Sequence, residues 1–299
     1  MSVPVIQPSR RSDAAAPPFK TIGIVGLGLI GGSIALAARE RWPSAVVIGV
    51  DNPTVLETAM RRRAVDVAGE HLDVLTEADL VILAAPVGQN RALLTELDSH
   101  VRHEAVITDT GSTKRDIIAA AASLPGRFTF LGGHPLGGAA VGGLKHARPD
   151  LFRNRPWLFT PLPEVNVGAL DRLTAFVTAL GSVPRVMSAA EHDHLMAFLS
   201  HVPQLTASAL MHVVGDAVGE GGLALAGRGL DDTTRLSSSP ADIWRDIAAA
   251  NADEIGPALD ALISVLQSLR SDLGGGSHLA EVFADAARWR AQLMARSTL

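Results

Sequence analysis

The sequence predicts an α/β domain followed by an all-α domain. Over residues 19–187, short β-rich runs alternate with helical stretches, which is typical of a largely parallel sheet covered by helices. From residue 188 onward the β-rich runs stop and long helical patterns take over. Residues 1–18 are rich in Ser, Pro, Ala and Arg and predict a flexible tail. We therefore expect domains at 19–187 and 188–299.

The turn after the first predicted strand has the spacing Gly26-x-Gly28-x-x-Gly31, and Leu29 and Ile30 begin the helix that follows. Gly26 permits a tight turn, Gly28 lets the backbone approach a pyrophosphate, and Gly31 lets the helix pack close to the strand. The helix N-terminus directs free N–H groups at the phosphates. The pattern predicts a Rossmann-type dinucleotide-binding domain.

Two further positions are expected at the cofactor. Asp51 ends the second predicted strand, 20 residues after Gly31, where a carboxylate binds both ribose hydroxyls and repels a 2′-phosphate. This favours NAD over NADP. Pro86 lies in the turn at residues 85–88, which follows another apolar strand. Ligands of open α/β sheets bind at the carboxyl ends of the strands, so this turn is a candidate site.

The region after residue 188 predicts helices separated by glycine-rich breaks. The helical patterns cover residues 189–215, 240–252, 255–273 and 278–296, and the breaks lie at 219–222, 227–229 and 274–276. A helix as apolar as 255–273 belongs either to the core of a monomer or to the seam of a dimer. Because the whole region is apolar, we favour a homodimer.

Composition argues against several classes of protein. A net charge of −5 and a pI near 6.0 give no basic surface for nucleic acid. The sequence contains no run of eighteen apolar residues, so it does not predict a membrane span. It also has no apolar segment near the N-terminus of the kind found in signal peptides, which favours a cytoplasmic protein. The chain has no cysteine, and its ten histidines form no metal-binding pattern. The charged run 191–194 is interpreted as helix capping and solvated charge, so no metal is expected.

Four polar residues stand out from their surroundings: Ser112, His134, His201 and Arg235. Each also has a simpler interpretation. Ser112 could be the N-cap of the next helix, and His134 a loop histidine that makes one backbone hydrogen bond. His201 could be a satisfied core residue, and Arg235 a solvated surface charge.

Five motifs occur in order along the chain: GLGLIGGS at 26–33, DTGSTK at 109–114, GHP at 133–135, EHD at 191–193 with SHVP at 200–203, and TRL at 234–236 leading to Trp244 and Asn251. These motifs give the chain a clear resemblance to the prephenate/arogenate dehydrogenase family. It implies a Rossmann domain followed by a helical dimerisation domain, which is the organisation that the pattern along the chain predicts.

The resemblance also implies roles for individual residues. His134 takes the proton from the ring hydroxyl, and we expect its pKa near the reference value of about 6.5. Ser112 orients that hydroxyl and His134, and His201 and Arg235 hold the carboxylates of the substrate. Trp244 lines the pocket from the partner subunit.

Two departures from the family concern the pocket. Gln204 stands where many members have a second histidine, and we include it among the substrate-binding residues. The run at residues 137–140 lacks the acidic residue that many members carry there. Both bear on which substrate is accepted.

The leading interpretation is NAD-dependent oxidative decarboxylation of prephenate to 4-hydroxyphenylpyruvate, in tyrosine biosynthesis. Alternatives within this chemistry are arogenate or an amino-substituted prephenate analogue from a specialised pathway. A β-hydroxyacid dehydrogenase or imine reductase shares the fold but gives no reason for the motifs around His134 and Arg235. The non-enzymatic alternative is an NAD-responsive binding protein.

Overall fold

The computed structural model describes residues 16–137, 142–164 and 166–295, and its N-terminal part is built around an eight-stranded sheet. The strand order is β3-β2-β1-β4-β5-β6-β7-β8. Neighbouring strands are parallel except for the antiparallel pair β6 and β7. The strands are β1 Thr21–Val25, β2 Val46–Val50, β3 Val67–Gly69, β4 Leu80–Leu83, β5 Ala105–Asp109, β6 Phe128–Pro135, β7 Pro156–Pro161 and β8 Val183–Val186.

Helices cover the two faces of this sheet: α1 Leu29–Arg41, α2 Pro53–Arg61, α3 Val87–His100, α4 Arg115–Ala121 and α5 Val167–Ala179. Each face has its own apolar core. The first includes Ile22, Ile24 and Phe176, and the second includes Val81 and Ile107. Burial on both faces explains why the central strands are apolar runs without alternation.

The C-terminal part is helical: α6 Ala189–Met196, α7 Val202–Leu223, α8 Arg228–Thr234, α9 Ala241–Ala250, α10 Ala252–Ser271 and α11 Ser277–Ala295. The last strand ends at Val186, and the Ser188 hydroxyl caps α6 by accepting a hydrogen bond from the Glu191 N–H at 3.1 Å. The predicted α/β domain followed by an all-α domain is thus confirmed.

Residues 189–215 are helical throughout, as predicted, but they do not form one regular α-helix. A π-helical turn, Ala197–His201, separates α6 from α7. Pro203 explains the interruption, because it has no N–H to donate to the carbonyl of Leu199 four residues earlier. Turns of this kind often occur at functional sites, and this one carries His201.

The predicted glycine breaks have different outcomes. Residues 274–276 do separate α10 from α11. The run 219–222 lies inside α7, where Gly219 has a φ of +61° and kinks the helix. The break predicted at 227–229 lies slightly earlier in the structure: residues 224–227 separate α7 from α8, and Gly227 is the N-cap of α8. Two predicted stretches lie partly outside the described residues. They are residues 1–15 of the predicted tail and residues 138–140 of the run 137–140, which lacks the acidic residue of many family members.

Candidate active site

The turn between β1 and α1 has the geometry that a pyrophosphate site requires. Gly26 has a φ of +92°, and a Cβ there would lie 2.7 Å from the carbonyl carbon of Ala84. A Cβ on Gly31 would overlap the Gly26 carbonyl oxygen, so the helix packs against the turn without room for a side chain. A Cβ on Gly28, the N-cap of α1, would meet nothing within 4 Å. The turn is therefore open at Gly28, where α1 begins.

Asp51 follows β2 directly beside this turn. Its Oδ2 accepts a hydrogen bond from the backbone N–H of Leu27 at 2.6 Å, and its Oδ1 accepts from the N–H of Asn52 at 2.7 Å. The Asn52 side-chain amide donates to Oδ1 as well, at 2.8 Å. An ionised carboxylate has about four acceptor positions, so Asp51 keeps acceptor capacity for a further hydroxyl.

The turn after β4 borders the glycine turn. Ala84 contacts Gly26, and Pro86 is the N-cap of α3. The Asn90 side chain accepts a hydrogen bond from the Ala85 N–H at 3.0 Å, which fixes the backbone ahead of Pro86. Pro86 thus follows, two residues later, the alanine that borders the proposed dinucleotide site.

A buried ion pair joins the ends of β5 and β6. Asp109 is paired with the Lys114 ammonium, and its two oxygens accept hydrogen bonds from the N–H groups of Gly111 at 2.8 Å and Gly133 at 3.0 Å. Lys114 also donates to the Gly133 carbonyl at 2.8 Å. Burial lowers the pKa of Lys114, although Asp109 opposes this. The turn that carries half-buried Ser112 is therefore fixed to the strand end that carries His134.

His134 lies on β6 and contacts a second histidine, so the interpretation as a loop residue with one backbone hydrogen bond is wrong. Its Nδ1 is 2.9 Å from Nε2 of His192, whose Nδ1 is 2.8 Å from Oδ1 of Asp193. Burial lowers the pKa of His134 well below its usual value, and positive charge on His192, Lys114 or His201 lowers it further. The expected pKa near 6.5 is therefore wrong, and His134 is a neutral imidazole at neutral pH.

The carboxylate of Asp193 binds the start of α4. Its Oδ1 accepts a hydrogen bond from the Lys114 N–H at 2.7 Å, and its Oδ2 accepts from the Arg115 N–H at 2.9 Å and from Arg115 Nε at 3.1 Å. Arg115 also forms hydrogen bonds of 2.6 Å to Asp253. Asp193 thus supplies the cap of α4, and the interpretation of Ser112 as that N-cap is wrong.

The charged run at residues 191–194 was expected to be solvated, and this is wrong for two of its members. His192 and Asp193 are buried, together with Met196 and Ala197, on the face of the chain that packs inward. Glu191 is exposed as expected. Periodicity over a short helix did not identify which face is covered. The EHD motif at 191–193 is the sequence signal that marks this buried pair.

His201 is 1% exposed and is oriented by Asn251. The Asn251 amide N–H group donates to His201 Nδ1 at 3.2 Å and to the backbone carbonyl of Asp193 at 2.9 Å, while its Oδ1 accepts from Arg115 at 2.8 Å. Burial lowers the pKa of His201 to about 4. The ring is therefore neutral, with Nδ1 as acceptor and Nε2 carrying the hydrogen. Within the described residues, this buried Nε2 has no hydrogen-bond partner.

Trp244 lies beside His201 of the same chain, with ring centroids 6.0 Å apart and planes at 78°. The expectation that Trp244 lines the pocket of the partner subunit stays a prediction. Helix α9 folds back on the π-helical turn of its own chain and brings the indole to its own histidine.

Contacts within the chain hold both ends of the Gln204 side-chain amide, and its role in substrate binding stays a prediction. Its side chain is 4% exposed, its Nε2 donates to the Leu236 carbonyl at 2.8 Å, and its Oε1 accepts from the Ser239 hydroxyl at 3.1 Å. Both ends of the amide thus hold the short segment Arg235–Ser238 against α7. Arg235 on that segment is exposed, and no acidic partner is found for it in the described part of the chain.

Two absences hold for the described residues. No group of three or more His, Asp or Glu side chains there is arranged to hold a metal ion. Among the helices from α1 to α11, none combines the length and apolar character needed to cross a membrane.

Comparison with known proteins covers both parts of the chain. Residues 34–186 match the family model of the prephenate dehydrogenase nucleotide-binding domain, and residues 188–283 match that of the prephenate dehydrogenase dimerization domain. The prephenate dehydrogenase of Bacillus subtilis (strain 168) is 35% identical over 257 residues, which are 84% of this chain and 69% of that protein.

Two solved structures are similar along almost the whole chain. Prephenate dehydrogenase from A. aeolicus, in complex with hydroxyphenyl propionate and NAD+, has a TM-score of 0.85 at 25% identity and covers 92% of this chain and 98% of its own. Arogenate dehydrogenase from Synechocystis has a TM-score of 0.77 at 28% identity, with 91% and 99% covered. The predicted dehydrogenase with nucleotide-binding and dimerisation domains is confirmed: the chain belongs to the prephenate dehydrogenase family.

Proposed function

We propose that this chain catalyses the NAD-dependent oxidative decarboxylation of prephenate to 4-hydroxyphenylpyruvate. The observation that carries the proposal is that two neutral histidines with complementary tasks belong to one hydrogen-bonded cluster, in which His192, Asp193 and Asn251 connect them. His134 can accept a proton, and His201 presents an unpartnered Nε2–H that can donate. Oxidation of a ring alcohol on a dicarboxylate requires both.

NAD is the cofactor, and the residues present fit it. The open space at Gly28 and the close packing of Gly26 and Gly31 suit a pyrophosphate at the N-terminus of α1. Asp51 would bind the ribose hydroxyls and exclude a 2′-phosphate. We place Leu29 and Ile30, at the start of α1, and Pro86, at the start of α3, along the same ligand. When bound, NAD supplies the hydride acceptor for the reaction.

His134 acts as the base in this proposal. As the ring carbinol is oxidised, its hydroxyl proton must leave, and a neutral imidazole can accept it. The lowered pKa keeps His134 unprotonated across the neutral range. Ser112, on the turn fixed by Asp109 and Lys114, orients the hydroxyl. Loss of the ring carboxylate as CO₂ then aromatises the ring, which makes the overall reaction effectively irreversible.

His201 and Arg235 hold the carboxylates of the substrate. A carboxylate at His201 would satisfy the buried Nε2–H that otherwise has no partner, and such unpaired buried donors are costly. Arg235 offers a planar guanidinium for bidentate pairing. Trp244 lines the pocket beside His201. Gln204 contributes indirectly, because it fixes the segment that carries Arg235.

Arogenate is the second candidate, supported by the similarity to the Synechocystis enzyme. Arogenate and an amino-substituted prephenate analogue each carry an amine, which is an ammonium group at neutral pH and needs a counterion in the pocket. The side chains assigned to the substrate are Ser112, His134, His201, Arg235 and Trp244, and none of them is a carboxylate. This lack of a counterion favours prephenate.

The test is a parallel assay of prephenate and arogenate with NAD and with NADP. We expect the absorbance of reduced cofactor to rise fastest with prephenate and NAD, and mass spectrometry to detect 4-hydroxyphenylpyruvate. A higher kcat/KM with arogenate would replace the substrate and keep the chemistry. No reduction with either compound, although NAD binds, would contradict the proposed function and favour an NAD-responsive binding protein.

We also propose that the chain forms a homodimer through its helical part. Helix α11 has no buried residue in the single chain and exposes Phe283, Trp289, Leu293 and Met294. Exposed apolar surface of this extent marks an interaction site. Sedimentation should give a dimer, whereas a monomer with full activity under assay conditions would refute this assembly.

A further inference from the structure

We propose that Asp193 and His192 are positioning residues that fix which ring nitrogen of His134 carries the hydrogen. In this arrangement His134 holds its hydrogen on Nδ1 and keeps Nε2 as the free acceptor. The inference rests on the proposed function only in that His134 is taken as the base. The tautomer itself is a property of the protein without substrate.

The first step is the charge and environment of Asp193. Donors surround its two oxygens: the N–H groups of Lys114 and Arg115, Nε of Arg115, and the ring of His192. Burial would raise the pKa of Asp193, but the hydrogen bonds from His192 and from the backbone of Arg115 and Lys114 outweigh it, so the net shift is downward. An ionised carboxylate only accepts. The hydrogen between Asp193 and His192 must therefore sit on His192 Nδ1.

The second step carries this assignment to His134. Burial lowers the pKa of His192, so its ring is neutral and holds one hydrogen. Because that hydrogen is on Nδ1, Nε2 of His192 is an acceptor. The nitrogen 2.9 Å away, Nδ1 of His134, must then be the donor. A neutral His134 with its hydrogen on Nδ1 has a lone pair on Nε2.

Asp193 is itself held in place, so it can determine which ring nitrogens of His192 and His134 carry hydrogens. Its carboxylate spans the first turn of α4, and Arg115 connects it further to Asn251 and Asp253 at the start of α10. Rotation of the carboxylate would leave buried backbone N–H groups of α4 without an acceptor, which costs free energy. The backbone N–H groups of α4 therefore fix the Asp193 carboxylate, which fixes the hydrogen on His192, and this in turn fixes the hydrogen on His134.

The consequence for the reaction is a base that is prepared before the substrate binds. A neutral imidazole without partners is distributed over two tautomers, and only one of them offers Nε2 as an acceptor. In serine proteases, a carboxylate that fixes the tautomer of the base has a large effect on rate. Here the carboxylate would act through an intervening histidine.

The test reads the tautomer directly by ¹⁵N NMR of histidine-labelled protein without substrate. His134→Asn identifies the His134 signals by their loss. We expect native His134 to show a protonated Nδ1 and an unprotonated Nε2. His192→Gln keeps an amide oxygen that can accept from His134, whereas His192→Met has similar volume and no such acceptor. His194→Gln, an exposed change on the same helix, is the matched control.

We expect His192→Met to lose the single-tautomer spectrum and to lower kcat by about tenfold to about 10⁴-fold, with the KM for substrate unchanged. His192→Gln should recover much of both, and His194→Gln should change neither. A native His134 with its hydrogen on Nε2 would overturn the proposal, and so would His192→Met with an unchanged spectrum and kcat. Because the spectrum needs no turnover, failure of the proposed function would be seen separately, as an inactive protein with the expected tautomer.

Discussion

Acidification should destabilise the folded chain through His201, and the structure gives the size of the effect. The pKa of His201 is about 4 in the folded chain, against about 6.5 for an unperturbed histidine. The unfolded chain therefore binds a proton that the folded chain does not. The stabilisation is present above about pH 6.5 and is lost as the pH falls towards 4. Over the whole interval it amounts to about 3 kcal/mol, and about 2 kcal/mol of this is lost at about pH 5.

The assay compares the native chain with His201→Asn, whose side-chain oxygen can still accept the Asn251 hydrogen bond. Urea unfolding of both proteins at about pH 7.5 and about pH 5, at one protein concentration, gives the loss of unfolding free energy on acidification. His134 and His192 also have lowered pKa values and contribute in the same direction. The readout is therefore the difference between the two proteins, in which these contributions cancel.

We expect His201→Asn to lose about 2 kcal/mol less than the native chain between these pH values. His212→Asn, at a side chain that is 75% exposed, should lose as much as the native chain. If His201→Asn and the native chain lost the same free energy, protonation of His201 would not be coupled to folding. The assignment of a buried, neutral His201 would then be refuted.

Three further outcomes follow from the site. His134→Asn should lower kcat by roughly 10²- to 10⁴-fold with NAD affinity unchanged. In the native protein, the acid limb of kcat plotted against pH should lie below about pH 6.5, because the pKa of His134 is lowered. A native limb at or above about pH 6.5 would contradict that lowered pKa. Asp51→Ser should narrow the preference for NAD over NADP in kcat/KM, and equal use of both cofactors by the native chain would exclude this role. Arg235→Gln should raise KM by about 10- to 100-fold with a much smaller change in kcat, measured on dimeric protein; an unchanged KM would make Arg235 a solvated charge.

Those parts of the fold that depend on local chemistry were predictable from the sequence. The glycine turn is one case, because the positive φ of Gly26 and the close approach at Gly31 follow from residue type and spacing alone. The alternation of buried strands and helices up to residue 187 is another, since both periods are visible in the chain. The separation of α10 from α11 at residues 274–276 is a third.

Other features depended on which surfaces meet, and spacing did not identify them. Spacing does not show that α9 returns to the π-helical turn and brings Trp244 beside His201 of its own chain. Gln204 occupies a position associated with substrate, but Leu236 and Ser239 meet its amide first. In both cases the residue type is compatible with the expected role, and the contacts within the chain are ones that spacing does not reveal.

Asp193 is a residue whose role depends both on its local sequence and on the tertiary contacts that it makes. In sequence it is one acid in a charged run, and solvation is the ordinary expectation for such a residue. In the structure its oxygens meet the N–H groups that start α4, so a helix of the N-terminal part is capped from the C-terminal part. The same carboxylate meets His192, and through it His134. This contact between the two parts of the chain therefore also orients the proposed base, so a change here should alter catalysis even where no residue that touches the substrate is changed.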